Sequence, residues 1–367
     1  MHSAADAQPL GLRGLLRWLL GITRPVHPPL LISAACRIIS LCLDVALFAA
    51  AAGFVVTLTL EGGHTFGVLM ILVALALSKA TFFYLEQFSG HYVAFKALEL
   101  LRTHVFAAMW PKAPAVVAYS RSADVLASLT RDVDRIEVVY AHTFAPVVSA
   151  YVVGPLAVIV AGLLVGWGPV TVAAVCLGIS LFVVPFVGTR SAMAATRGTL
   201  RRRRDLSHHI SDSVFGADEV LGYGREEDRL AAMDELGRGI ARSAQTPRDL
   251  NGVRRGANVS LSVVAALSVV WVGRHGAVDV TPAMLAALVA GTLRVFEAPR
   301  GVEDAVGYLD HSLAAARRLW QISNEPERVT DGPVELSLDH APAVRFENVT
   351  YAYPARGDGE PTDAVTE

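Results

Sequence analysis

The sequence predicts an all-α membrane protein with six transmembrane helices, long cytoplasmic extensions and a short β fragment at the C-terminus. Three observations predict it. Between Glu137 and Arg190 the chain runs for fifty-two residues without one Asp, Glu, Lys or Arg. A bilayer core takes about 20 apolar residues per helical span, so that run is long enough to cross twice. Apolar stretches of span length recur on both sides of it, and the polar segments between them are rich in arginine. A composition of 53% hydrophobic and 18% charged residues, with mean hydropathy +0.44, lies outside the ordinary soluble range. The bland alternative, a buried helical hairpin in a soluble core, does not explain the recurrence.

Taken in order, Gly11 to Ile22 reads as an amphipathic helix with Arg13 and Arg17 on one face and Leu and Trp18 on another. Such a helix lies along a membrane surface. Arg13, Arg17 and Arg24 precede a long span with no short apolar core and small-residue cleavage site, so a cleavable signal is not expected. Pro28-Pro29 are expected to stop this helix. Leu30 to Leu60 forms span one, Glu61-Gly62-Gly63-His64 a tight turn, and Phe66 to about Ser89 span two.

Past Ser89 the pattern stays helical but becomes amphipathic, with His91, Lys96, Glu99 and Arg102 among Phe95, Leu98, Leu101 and Phe106. A helix leaving the bilayer for water reads this way. Pro111 and Pro114 end it, and Tyr119 to Glu137 is a second amphipathic piece. The charge-free run supplies spans three and four, broken at Gly166-Trp167-Gly168-Pro169, where Gly and Pro interrupt the helix and Trp suits the interface. Thirteen arginines follow from Arg190 to Arg255. Span five is Gly256 to Val272, and span six Ala283 to about Phe296.

Charge sets the orientation. Arginine gathers at the N-terminus, between spans two and three, and between spans four and five, whereas the opposite turns hold one, Arg274. Positive residues stay inside, so both termini are expected in the cytoplasm of a multi-pass protein of the inner (plasma) membrane. Around Trp320 the character changes. A polar linker gives way to the alternating stretch Ala343 to Pro354, which reads as a half-exposed strand. The expected divisions are residues 1–27 (interfacial helix), 28–320 (six-span domain), 321–342 (linker) and 343–367 (β fragment).

Ionisable residues inside spans are costly and therefore the first functional candidates. Arg37 and Asp44 lie seven apart on one face of span one, and Lys79 and Glu86 repeat that spacing in span two. Together they are the substrate-pathway candidates, against the reading that Lys79 snorkels and Glu86 marks the inner edge. Glu297 and Arg300 flank Pro299 at the boundary of span six. Arg201 to Arg204 could neutralise nucleic-acid phosphate. Beside a span, anionic lipid headgroups explain the run better, and no nucleic-acid partner is expected. His208-His209 point to different helix faces. His91, His104 and His142 are isolated, and haem ligation by one of them is a minor alternative. Cys36, Cys42 and Cys176 all sit in apolar runs without CxxC spacing, so neither a disulfide framework nor a zinc site is indicated. No metal site is expected. The 367 residues contain no G-x-x-x-x-G-K-[ST] loop, and no nucleophilic catalytic arrangement is evident.

Six spans, spans two to five extended into the cytoplasm, then Phe346-Glu347-Asn348-Val349-Thr350-Tyr351 followed by Tyr353-Pro354, resemble the transmembrane half of a type IV ABC exporter. Tyr84-Leu85-Glu86-Gln87, Ala97 to Arg102, Ser120 to Asp134, Phe296 to Arg300 and Ala315 to Trp320 are most similar to the CydC-type subunit of thiol-reductant (cysteine/glutathione) exporters. Siderophore, lipid and drug exporters share much of this pattern. The resemblance implies a half-subunit, truncated near the start of its ATP-binding cassette domain, that forms a translocation pathway. A second half-subunit (a heterodimer favoured over a homodimer), nucleotide-binding domains and membrane lipids are the implied partners. It implies a first coupling helix within Pro114 to Asp124, with Tyr119, Arg121 and Asp124, and a second within Ser213 to Gly224, with Asp218, Glu219 and Gly222. Tyr353 falls where the family stacks an aromatic on adenine. ATP and Mg²⁺ are implied through a complete nucleotide-binding domain, so no ATPase activity is expected of this chain alone. A regulatory membrane subunit without transport remains the alternative.

Overall fold

The computed structural model describes residues 10–62, 65–112, 128–276, 280–325, 343 and 345–350. Its helices are α1 (Leu12–Ile22), α2 (His27–Glu61), α3 (Thr65–Met109), α4 (Val133–Val139), α5 (Ala145–Val165), α6 (Trp167–Phe182), α7 (Thr189–Phe215), α8 (Ala217–Gly222), α9 (Glu226–His275), α10 (Pro282–Val295) and α11 (Ala298–Asn324). Among the described residues, five helical stretches are long and apolar enough to cross a membrane: Arg24–Leu60, Thr65–Lys112, Thr130–Val165, Trp167–Phe215 and Glu226–His275. The expected sixth span is the 14-residue α10, shorter than the others because the chain turns at Phe296-Glu297 and restarts as α11.

Two further expectations change. Pro28-Pro29 do not stop α1, which ends at Ile22. They open α2 after a short 3₁₀ turn at Arg24–Val26, because a first helical turn has no use for the missing N–H. Residues 345–350 form no strand. An alternating sequence becomes a strand only with a neighbour to take its ladder of hydrogen bonds, and the described residues offer none. Val344 and Tyr351 to Pro354 lie outside the described residues.

The chain divides into two compact units. One comprises Met1–Ile22, Leu100–Val133 and Ala315–Glu367, the other Thr23–Glu99 and Asp134–Ala314. In the first, Leu15 and Leu19 are buried while Leu16 and Leu20 face out beside Arg13 and Arg17. Trp18 meets His104 edge to face at 5.9 Å. Arg318 grips Asp132 with both guanidinium edges, Nε–Oδ2 2.7 Å and Nη2–Oδ1 2.6 Å, which holds the arginine pKa up. Lys112 donates to the carbonyls of Ile322 and Ser323 at 2.9 and 2.8 Å, closing the last turn of α11, where carbonyls otherwise lack partners.

The second unit contains the membrane-spanning bundle. The charge-free run turns at Gly166, whose φ of 86° suits glycine, and the Trp167 ring folds back onto Gly162. The core joins Ala150 of α5 with Ala173, Cys176, Leu177 and Leu181 of α6, Ala265 and Val269 of α9, and Val295 of α10. Small residues let α10 lie close along α2: a Cβ on Gly53 would stand 3.1 Å from the Ala283 carbonyl oxygen, and one on Gly291 3.6 Å from the Ala49 Cβ. Close backbone approach of this kind is a common membrane-helix device. Beyond α6 the chain breaks at Val184–Phe186, and the Val187 carbonyl receives Arg254 Nε and Nη2 at 3.0 and 2.7 Å. A buried arginine thus satisfies the backbone of a helix break. From there α7 runs beside α9.

Candidate functional site: a row of ion pairs on one face of α2

Arg37, Asp44 and Phe48 share a face of α2, since residues seven and four apart line up along a helix. α3 answers with Glu86 opposite Arg37 and Lys79 opposite Asp44. Arg37 Nη1 lies 2.8 Å from Glu86 Oε1, and its Nε donates to Ser149 Oγ of α5 at 3.2 Å. Asp44 binds both Lys79 and Arg294, the latter from α10. The Arg294 guanidinium also lies 4.8 Å from the centre of the Phe48 ring, and Glu297, 3.9 Å away, passes the row on to Arg300 at 2.8 Å. All four sequence candidates are therefore brought together in one row. Ser33 donates to the Glu86 carbonyl at 3.2 Å and Ser40 to that of Lys79 at 3.5 Å.

The two carboxylates are sealed and the cations are not. Side-chain exposure is 3% for Asp44 and 7% for Glu86, against 26% for Arg37, 31% for Lys79 and 33% for Arg294. Sequence reasoning missed Arg294 and Ser149. Arg294 was legible as the lone charged residue of span six, three before Glu297. Ser149 carries no charge, and nothing marked it.

The opposite face of α2 is different. Cys42, Val45, Ala46 and Ala49 line a cavity of about 530 Å³ with residues of α5, α6 and α10, among them Ala161, Leu177 and Leu288. Its lining is almost wholly aliphatic, with Cys42 and Thr292 the polar exceptions.

Of the coupling candidates, Asp218, Glu219 and Gly222 form α8, a short exposed helix between the long α7 and α9. Tyr119, Arg121 and Asp124 lie outside the described residues, as does Tyr353. His91 and His142 meet edge to face at 6.3 Å. Among the described residues, no three His, Cys, Asp or Glu side chains gather to hold a metal ion.

Residues 30–287 match the family model of the ABC transporter transmembrane region. The chain belongs to that family. Among relatives, this ABC transmembrane chain is 26% identical over 291 residues to a probable ABC transporter ATP-binding/permease protein of Haemophilus influenzae, covering 78% of this chain and 52% of the relative. It is 22% identical to the glutathione/L-cysteine transport system ATP-binding/permease protein CydC of Escherichia coli, over 74% of this chain and 48% of that one. The CydD protein of Bacillus subtilis is likewise 22% identical, over 74% and 47%. The chain thus spans about half the length of the relatives it matches. With the apolar helices, the family makes this a multi-pass membrane protein of ABC transport. The relatives' names speak for ATP and none of them for haem. Nucleotide phosphates need a backbone cradle and a lysine, and the 367 residues carry no loop of that kind. They do not fit ATP by themselves.

Proposed function

We propose that the chain is the transmembrane half-subunit of an ATP-driven exporter, and the family match over residues 30–287 is the observation that carries this reading. It pairs with a second half-subunit, a heterodimer being favoured by the CydC and CydD relatives. α10 serves as the sixth span, both termini face the cytoplasm, and the membrane is the inner (plasma) membrane. Residues 1–27, 28–320, 321–342 and 343–367 are the interfacial helix, the six-span domain, the linker and the start of an ATP-binding domain.

In this mechanism, nucleotide-binding domains close on ATP, and the segment around Tyr119, Arg121 and Asp124 together with α8 passes their motion to the spans. Tyr353 would offer an adenine-stacking face once such a domain is complete. Alternating access is a shift between inward- and outward-facing populations, driven by their different nucleotide contacts. Arg37, Asp44, Lys79 and Glu86 form the polar part of the pathway, and the names of the relatives favour thiol reductants such as glutathione and cysteine as cargo. A second reading, export of a lipid-like or apolar substrate, draws on the aliphatic cavity and on a 22% identity, over 46% of the chain, to an ATP-dependent lipid A-core flippase of Psychrobacter cryohalolentis.

A photo-crosslinker at Gly222 in the full-length complex tests the reading. Capture of a nucleotide-binding domain, with ATP-dependent uptake of labelled glutathione into inverted vesicles, is the expected result. Capture of no ATPase domain would return the chain to a regulatory membrane role, and uptake of lipid analogues alone would favour the second reading. ATP hydrolysis is expected only with complete nucleotide-binding domains present. Hydrolysis by these 367 residues alone, lost in Tyr353→Ala, would overturn that.

A further inference from the structure

We infer that the α2 row is an anion-recognition site: Arg37, Lys79 and Arg294 face outward over sealed carboxylates and meet the negatively charged group of a passing ligand. The inference rests on the proposed pathway and gives its ligand a sign.

The charge count is the first support. Following the row from Arg37 to Arg300, the cations are Arg37, Lys79, Arg294 and Arg300, and the carboxylates are Glu86, Asp44 and Glu297. One positive charge is left over within the row. Charge inside a membrane protein is costly and gathers where function needs it. At Asp44, the midpoint of α2 (His27–Glu61), two cations, Lys79 and Arg294, meet one carboxylate, so positive charge outnumbers negative there far from either end of α2.

Geometry is the second. Asp44 and Glu86 lie beneath their partners and cannot be reached, while each of the three cations keeps about a quarter to a third of its side chain open. An approaching molecule therefore meets guanidinium and ammonium groups and not carboxylate. The buried acids hold the cations in place and lower the cost of keeping them at that depth. Arg294 adds a planar fork suited to carboxylate or phosphate, steadied by the Phe48 ring. Two cationic tiers, at Arg37 and at Lys79 with Arg294, stand seven residues apart along α2, about 10 Å at 1.5 Å per residue. The ligand class is a small organic molecule bearing a carboxylate or phosphate, with net negative charge. On the other face of α2 the aliphatic cavity offers such a group nothing.

The test uses the full-length protein with its partner half in nanodiscs and needs no knowledge of the ligand. Phe48→Cys places a thiol beside Arg294. It is titrated with methanethiosulfonate reagents ending in sulfonate or in trimethylammonium. Their rates are normalised to a free thiol and corrected with the protein that retains Phe48. The anionic reagent is expected to react at least about tenfold faster than the cationic one, the low end of the gain that a charged cleft gives. Arg294→Gln and Lys79→Gln should bring the ratio toward unity, and Arg294→Lys should retain it. Equal rates, a faster cationic reagent, or no reaction by either overturns the inference. Protection by soluble carboxylates in phosphatidylcholine discs assigns the anion to a solute. Protection only on adding phosphatidylglycerol assigns it to a lipid headgroup. Failure of the transport reading is separate: the charge preference would persist while ATP-driven uptake is absent.

Discussion

One helix, α2, presents two unlike faces within the membrane. Toward α3 and α10 it carries Arg37, Asp44 and Phe48, paired to Glu86, Lys79 and Arg294. Around its other side it shows Cys42, Val45, Ala46 and Ala49 to an aliphatic cavity shared with α5, α6 and α10. The polar face is packed through specific, mutually dependent partners. The apolar face leaves a volume unfilled, because aliphatic groups in lipid lose only contact energy when a neighbour is missing. A charge without its partner loses far more. The two faces should therefore respond to mutation in opposite directions.

The largest effect is expected from Asp44→Ala, which leaves Lys79 and Arg294 without their counter-ion. Removing one partner of a buried ion pair costs about 3–5 kcal/mol, so thermal unfolding of the purified protein should fall sharply, with Asp44→Asn milder. An unchanged melting temperature would mean that the ion face is not held by its pairs. The close contact of α2 with α10 comes next. Gly53→Val pushes a branched side chain against the Ala283 carbonyl, 3.1 Å from where its Cβ would sit, and overpacking of this sort costs about 1–3 kcal/mol. On the apolar face the sign reverses: Ala161→Leu fills part of the cavity and should stabilise by about 0.5–2 kcal/mol. Destabilisation there would show that the volume is occupied in the native membrane.

The smallest effect sharpens the contrast between paired and unpaired acids. Glu303 of α11 is 7% exposed, and its Oε1 has no hydrogen-bond partner among the described residues. Burial first, then Asp304, pushes its pKa up, partly offset by Arg254, Arg255 and Arg300. A carboxyl whose folded pKa is raised favours folding most below its ordinary value, about 4.3, and that stability is lost as pH rises through the folded pKa. Glu303→Gln should then raise the melting temperature at pH 7 and leave it nearly unchanged at pH 4. Equal shifts at both pH values would assign the gain to packing.

The five long apolar helices among the described residues were legible because the bilayer imposes a length and a polarity on each one, whatever its neighbours. The fifty-two-residue charge-free run therefore read correctly as α5 and α6 with a turn at Gly166. Arg37, Asp44, Lys79 and Glu86 were legible for the same reason, since charge stands out against lipid. Their partners were not. Nothing in a linear sequence joins Asp44 to Arg294, 250 residues away, or Arg37 to Ser149. Helix phase shows which residues share a face of one helix, but only packing decides which helix that face meets. The alternating stretch from Ala343 shows the opposite limit: local pattern called for a strand, and a strand needs a neighbour. By itself the sequence determined the membrane helices, the uneven charge and the presence of ionisable residues within the spans. Tertiary structure alone decided the pairing of those charges and the sealing of the carboxylates beneath the cations, because both depend on contacts between helices far apart in the chain.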